Sequence, residues 1–426
     1  MTSTFQKSVL PSGLVVVSER MPDRHSVSVG AWLRNGARDE PSEWLGISHF
    51  IEHMMFKGTA TRDARAIAQS LESVGGHLDA FTGREQVCYY ARALSQHLTR
   101  VVDVLADITC RSLMREPELS RERNVVREEI YAAEDNPDDK VSEMLAGLVW
   151  GRHSLGQPIL GTVETLDRLD PASLRQYFSS RYRPEQMVVA GSGGLEHEGL
   201  VQLVEKYFEP PSGAGTPLST EPPDYAPVIQ HDTRDDLQQL YLSLATRGAP
   251  YGSEDRYRLA VLNTLLGGGM SSRLFQSVRE EAGLAYSVFS AADFHRDAGM
   301  LSVHLGVAPD KGREALALVR QELELLCSRG PEKVEVQDAK AQLEGSILMG
   351  QESVSNRMFH IAHEEIYCGR FTTPEEQAAR IAAVTPEQVA DAARRYLAPG
   401  RFTLAALGPG SAERLNESAW AVERAA

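Results

Sequence analysis

HFIEH, residues 49–53, places His49, Glu52 and His53 within one helical turn of the otherwise apolar run WLGISHFIEHMMF. Two imidazoles at i and i+4 share a helix face and can bind one Zn2+. The carboxylate beside them is placed to take a proton from water activated by the metal, which is general-base chemistry. A tetrahedral catalytic zinc needs a third protein ligand and leaves the fourth position open. The stretch SRERNVVREEIYAAEDNP, residues 120–137, offers that ligand. Read as a helix, its apolar stripe is Val125, Val126, Ile130 and Ala133. Glu122 and Glu129 fall on the stripe seven residues apart, whereas Glu128 is rotated about 100° away. A carboxylate on a core-facing stripe is costly unless it is paired or bound to metal. Glu129 is therefore the expected third ligand, and Glu122 a supporting or alternate carboxylate. A second cluster, His360, His363 and Glu364 in FHIAHEEIY, has i, i+3 histidines and no evident third ligand, and reads as structural.

Two helices must hold these groups. Ser42 after Pro41 is the expected N-cap of the first, and Lys57-Gly58 its end. Ser120 is the expected cap of the second, closed by Asn136-Pro137. Around them the chain reads as a degenerate repeat. HSVSVGAWL (25–33) alternates like a strand and precedes the first helix; LQQLYLSLA (237–245) precedes a second, SEDRYRLAVLNTLL. Two strand-turn-strand stretches follow at 74–94 and 282–307. The Pro, Gly, Ser and Thr-rich segment EPPSGAGTPLSTEPPDYAP lies between the halves. The expected division is a domain at 1–208, a linker at 209–227 and a homologous domain at 228–426. The expected class is α+β, each domain a mainly antiparallel sheet with helices packed on one face. Where the first copy has His49, Glu52 and His53, the second has Ala260, Asn263 and Thr264, so the metal chemistry occurs once.

Composition narrows the partners. The 426 residues are 42% hydrophobic and 24% charged, ordinary for a globular protein with substantial cores. A net charge of −15 argues against nucleic acid, which requires basic patches, and leaves basic ligands possible. No run of 18 apolar residues suggests a membrane span. The four cysteines lie far apart without a CxxC, and the N-terminus lacks a secretory or mitochondrial pattern, so the expected location is the cytoplasm.

HFIEH read as H-x-x-E-H, with ERNVVREE about seventy residues later, resembles the inverted zinc motif of the pitrilysin family of metallopeptidases. HSLGQPIL (153–160) and Gly161 resemble a phrase of its short-chain, processing-peptidase-like branch. The resemblance implies zinc on His49, His53 and Glu129, with Glu52 as general base and Glu122 in support. It also identifies GGGMSSRLF (267–275), including Gly268 and Gly269, with a glycine-rich loop near the substrate. Arg279 and Tyr286 match the family's arginine–tyrosine pair, which steadies the substrate carbonyl and its oxyanion. In the family a peptide adds as a strand along the edge carried here by HLDAFT; Ala80, Phe81 and Phe56 would line that cleft. Long members carry four repeats, with zinc in the first and the pair in the fourth. A two-repeat chain therefore implies a homodimer whose sites are completed by the partner. The competing reading is a non-catalytic structural subunit, but such relatives have broken motifs and this chain keeps every motif residue.

Overall fold

The computed structural model describes residues 4–211, 215–218, 221–398, 400–412 and 415. One sheet contains β1 (Thr4–Val9), β2 (Val15–Arg20), β3 (Ser26–Leu33), β4 (His77–Thr82), β5 (Val87–Leu94) and β6 (Met187–Gly193), in the order β1-β2-β6-β3-β5-β4. The other contains β7 (Ile229–Thr233), β8 (Leu240–Arg247), β9 (Ala285–Phe294), β10 (Gly299–Val307) and β11 (Thr403–Gly408), in the order β7-β11-β8-β10-β9. The pairs β2–β6 and β7–β11 are parallel and every other pair is antiparallel. From β2 to β4 the first sheet thus repeats in the second, strand for strand and direction for direction, with β1 as an addition. The class is α+β, as the sequence repeat implies.

The compact units are not the successive halves 1–208 and 228–426. One comprises Met1–Tyr131, Gln157–Ser219 and Met349–Thr372; the other comprises Ala132–Gly156, Thr220–Leu348 and Thr373–Ala426. Each unit takes in a helix from the other half of the sequence. Between 209 and 227 the described residues carry no helix or strand; 212–214, 219 and 220 lie outside them.

Helices on one face is therefore an incomplete description. In the first unit Val29, Ala31 and Leu33 of β3 and Tyr89 of β5 face a core with Phe50, Ile51, Leu105 and Ile108. The alternate residues Trp32 and Cys88 face the other way, onto Met358, Ile361 and Ala362 of the helix Val354–Cys368. The second unit does the same: Leu242 and Leu244 face its main core, while Ala245, Ala405 and Leu407 meet Leu145 and Val149 of the helix Pro137–Trp150. Trp32 and Cys88, and Ala245, Ala405 and Leu407, thus bury the second face of each sheet as well.

The motif helix runs Ile47–Met55, four residues later than a cap at Ser42 requires. Ser42–Trp44 forms only a single 3-10 turn, and Gly46 interrupts it at φ 88°. The cap is remote in sequence: Glu40 accepts from Gly46 N at 2.7 Å and from Ser48 N at 2.8 Å. Burial pushes this carboxyl up to about 8 against the pull of those donors. The interruption exists because segment 160–161 lies against it. A Cβ on Gly46 would stand 2.4 Å from Leu160 O, and one on Gly161, at φ 72°, 2.2 Å from Leu45 O.

Gly161→Ala should cost about 2 kcal/mol or more, from left-handed strain plus that collision. Gly75→Ala is the control, since Gly75 has φ 71° with nothing near its Cβ and shares only the strain. Calorimetry of the metal-free variants should give the lower thermal midpoint for Gly161→Ala; equal midpoints would contradict the close-approach explanation.

Candidate metal centre

On the helix Ile47–Met55 the residues Ile47, Phe50, Ile51, Met54 and Met55 are buried in the core, which turns His49, Glu52 and His53 to the remaining face. Ser112 Oγ donates to Met54 O at 3.1 Å and closes the helix's far end. The second helix runs Glu116–Asp135, so Ser120 lies inside it and is not its cap. Pro117 and the acidic Glu116 and Glu118 suit its first turn. Asn136 ends it as expected, capping the next helix through Asp138 N. The buried stripe is Leu119, Glu122, Val126 and Ile130; Val125 is exposed, one position off that line.

Glu129 and the two histidines converge. His49 Nε2 and His53 Nε2 stand 3.5 and 3.4 Å from Glu129 Oε2, and one ligand atom from each residue lies within 4.8 Å of the others. Donors around a tetrahedral zinc with bonds of about 2.0–2.1 Å are themselves about 3.4 Å apart. Glu129 Oε2 is buried without a hydrogen-bond partner, as is His49 Nδ1. A buried acceptor left facing two ring nitrogens is the chemistry of a metal ligand, so the residues fit the ion. Among the described residues this is the one such group of His, Cys, Asp or Glu.

The surroundings favour ligation. Burial, with His53 beside it, lowers His49 to about 4, which keeps its ring neutral. His53 Nδ1 lies 3.2 Å from Glu122 Oε2, so that nitrogen carries the proton and Nε2 keeps its lone pair toward Glu129. Glu122, buried as its stripe position implies, also holds Lys57 Nζ at 2.7 Å through Oε1. Lys57 is a contact the sequence reading missed, although it stands at i+4 from His53. Burial raises the Glu52 carboxyl, while a hydrogen bond from Thr82 pulls it down. Thr82 was also missed; it shares the helix-facing side of β4 with Ala80 under strand alternation.

The remaining first-unit residues divide. Phe56 follows the helix and packs 6.4 Å from the Tyr89 ring, on the motif side, as does Ala80. Phe81 points to the other face, against Trp32 at 5.6 Å and Phe359 at 6.1 Å. Ala80 and Phe81 therefore cannot line one surface, since adjacent strand residues alternate. His360 bonds Thr372 O, and His363 lies against Gln86 and Trp32, so both serve the fold.

In the second unit the motif position is inert: Thr264 Oγ1 bonds Ala260 O, and Asn263 O accepts from Ser290. Gly267 and Gly268 permit close packing, with Cβ positions 2.5 Å from Ser290 N and 2.7 Å from Thr264 Cα; Gly269 meets only the Gln342 side chain. Arg279 lies on the π-helical segment Phe275–Glu281. Its guanidinium sits 4.5 Å from the Phe275 ring centre and 5.1 Å from that of Tyr286, within cation–π range. Tyr286, at the start of β9, is 81% exposed. Arg279 and Tyr286 are thus brought together with the phenol free to meet a ligand.

Comparison with known proteins agrees with this division. The insulinase family, peptidase family M16, matches residues 15–163, and the peptidase M16 inactive domain matches residues 168–343. An uncharacterized zinc protease of Mycobacterium tuberculosis is 38% identical over 420 residues, covering 96% of this chain and 94% of its own. One from Bacillus subtilis is 39% identical over 398 residues, covering 93% and 97%. Among solved structures, a peptidase M16 inactive domain from Pseudomonas fluorescens superposes with TM-score 0.89 at 22% identity, covering 96% of this chain and all of that one. A protease from Helicobacter pylori gives 0.87 at 20%, covering 96% and 100%.

Competition titration with a zinc chelator should find one tight site per chain. His53→Ala should abolish it, and Glu122→Gln should weaken it by about 10–100-fold through loss of the histidine's support. Wild-type affinity in Glu122→Gln would remove Glu122 from the site.

Proposed function

The chain belongs to the insulinase family of zinc proteases, family M16, and from that premise we propose that it is an endopeptidase of unfolded peptides and oligopeptides with Glu52 as general base. The observation that carries this reading is the convergence of His49, His53 and Glu129 with Glu52 on the same helix. Zinc, when bound, supplies Lewis acidity that polarises the scissile carbonyl and makes water nucleophilic at neutral pH. Glu52 takes the proton from the attacking water and returns it to the leaving amine. The Tyr286 hydroxyl donates to the developing oxyanion, and Arg279 beside it holds a substrate carbonyl.

Substrate binding follows from the sheet. β4 stands at the end of the strand order and, among the described residues, pairs only with β5, so its outer edge has backbone groups for an added strand. This mode needs an extended segment and reads backbone more than side chains. Ala80 and Phe56 border it on the motif side, and Gly268 and Gly269 belong to the loop that lies near the substrate in our reading. The net charge of −15 favours basic peptides. No helix among the described residues is long and apolar enough to cross a membrane, and the four cysteines are free, in keeping with a cytoplasmic enzyme.

The Arg–Tyr pair comes from a second copy of the chain. Two repeats with zinc ligands in the first and the pair in the second match half of the four-repeat family pattern. A homodimer then supplies each site with His49, Glu52, His53 and Glu129 of one copy and Arg279 and Tyr286 of the other.

Glu52→Gln should retain zinc and lose turnover of an unfolded peptide by about 10²–10⁴-fold, measured by mass-spectrometric digestion. Near-native hydrolysis by that variant would refute the base assignment. Glu52→Gln and Tyr286→Phe, each nearly inactive alone, should regain activity after subunit exchange, because the hybrid holds one intact site. No recovery despite demonstrated exchange would exclude completion by the partner.

A further inference from the structure

Resting on the reading of Glu52 as base, we infer that Thr82 is a positioning residue whose hydroxyl holds the Glu52 carboxylate in its working orientation. Thr82 Oγ1 donates to Glu52 Oε2 at 2.5 Å, at the short end for an O–H donor on a carboxylate. Glu52 makes no other hydrogen bond or ion pair among the described residues. Its Oε2 is thereby occupied and Oε1 is left to exchange protons. A glutamate has three side-chain torsions, and an unanchored one spreads its carboxylate over several rotamers. Proton transfer tolerates little of that, since misplacement by 1 Å costs about 10²-fold.

The mount is rigid. Thr82 ends β4 and opens the turn to β5, where Gly83 N donates to Gln86 O at 2.8 Å. That turn is tied to segment 37–38 by Ala37 N to Gly83 O at 3.1 Å and Arg38 N to Arg84 O at 2.8 Å. The same segment contributes a buried ion pair, Arg38 to Glu85 at 2.6 Å, with side chains 0% and 2% exposed. Breaking a buried pair by removing one partner is strongly destabilising, so the pair helps hold the turn against segment 37–38. The β-branched side chain of threonine adds a restricted first torsion. Thr82 also lies on the strand whose edge receives substrate in the reading above, so one strand aligns both the peptide and the base.

Thr82→Val keeps the shape and removes the donor; Thr82→Ser keeps the donor. Both are compared with wild type and Glu52→Gln for kcat and KM on an unfolded peptide, zinc affinity by competition titration and thermal midpoint. Thr82→Val should lower kcat on the order of tenfold to hundredfold, with KM and zinc affinity within about twofold of wild type. Thr82→Ser should recover most of kcat. Thr82→Ala repeats the test if valine disturbs folding. An inactive Glu52→Gln with a fully active Thr82→Val would overturn this inference alone. A kcat loss that tracks lost zinc or lost stability, or that serine fails to restore, would also overturn it. A fully active Glu52→Gln would overturn the base assignment and this inference with it.

Discussion

Everything at the metal centre depends on one constraint: three partly buried side chains must turn donor atoms toward one another without satisfying one another. His49 and His53 can do so because one helical turn separates them and the opposite face of their helix is locked into the core by Phe50, Ile51, Met54 and Met55. Glu129 meets them from a helix of twenty residues anchored by Leu119, Val126 and Ile130. The cost of leaving Glu129 Oε2 without a hydrogen bond is borne by the fold's apolar burial and is offset when zinc binds. Binding energy for the metal is in that sense stored in the packing of two helices.

The rest of the first unit reads as support for that geometry. Glu122 and Lys57 fix the His53 ring, Glu40 holds the start of the motif helix and Ser112 its end. The second unit keeps the same strand order and drops the ligands, as its match to the inactive M16 domain implies. With Ala260, Asn263 and Thr264 where the first unit has its metal-site residues, the second unit keeps its sheet and core and carries a π-helical segment that presents Arg279 beside Tyr286.

Much of this was legible from local pattern. The i, i+4 histidines, the inward glutamates seven residues apart and the twofold recurrence of strand, helix and hairpin each follow from periodicity. The features that were not legible are decided at long range. Gly46 reads as an ordinary helix residue until Leu160 O is seen against it, which is why the expected cap at Ser42 failed. The helix Val354–Cys368 carries apolar residues that suit any core, and nothing local says that it packs on the first sheet. Ser120 has the residue type of a cap, but the acidic, proline-bearing turn before it is already helical. Phe81 is different: strict alternation with Ala80 places it on the opposite face, and that signal was present in the sequence.

The most direct measurement is X-ray absorption at the zinc edge on the stoichiometrically loaded protein. The account predicts a first shell of nitrogen and oxygen at about 2.0–2.1 Å with outer-shell scattering from two imidazoles, and loss of that spectrum in His49→Ala, as in His53→Ala. A sulfur scatterer at about 2.3 Å, or an unchanged spectrum in that variant, would contradict it.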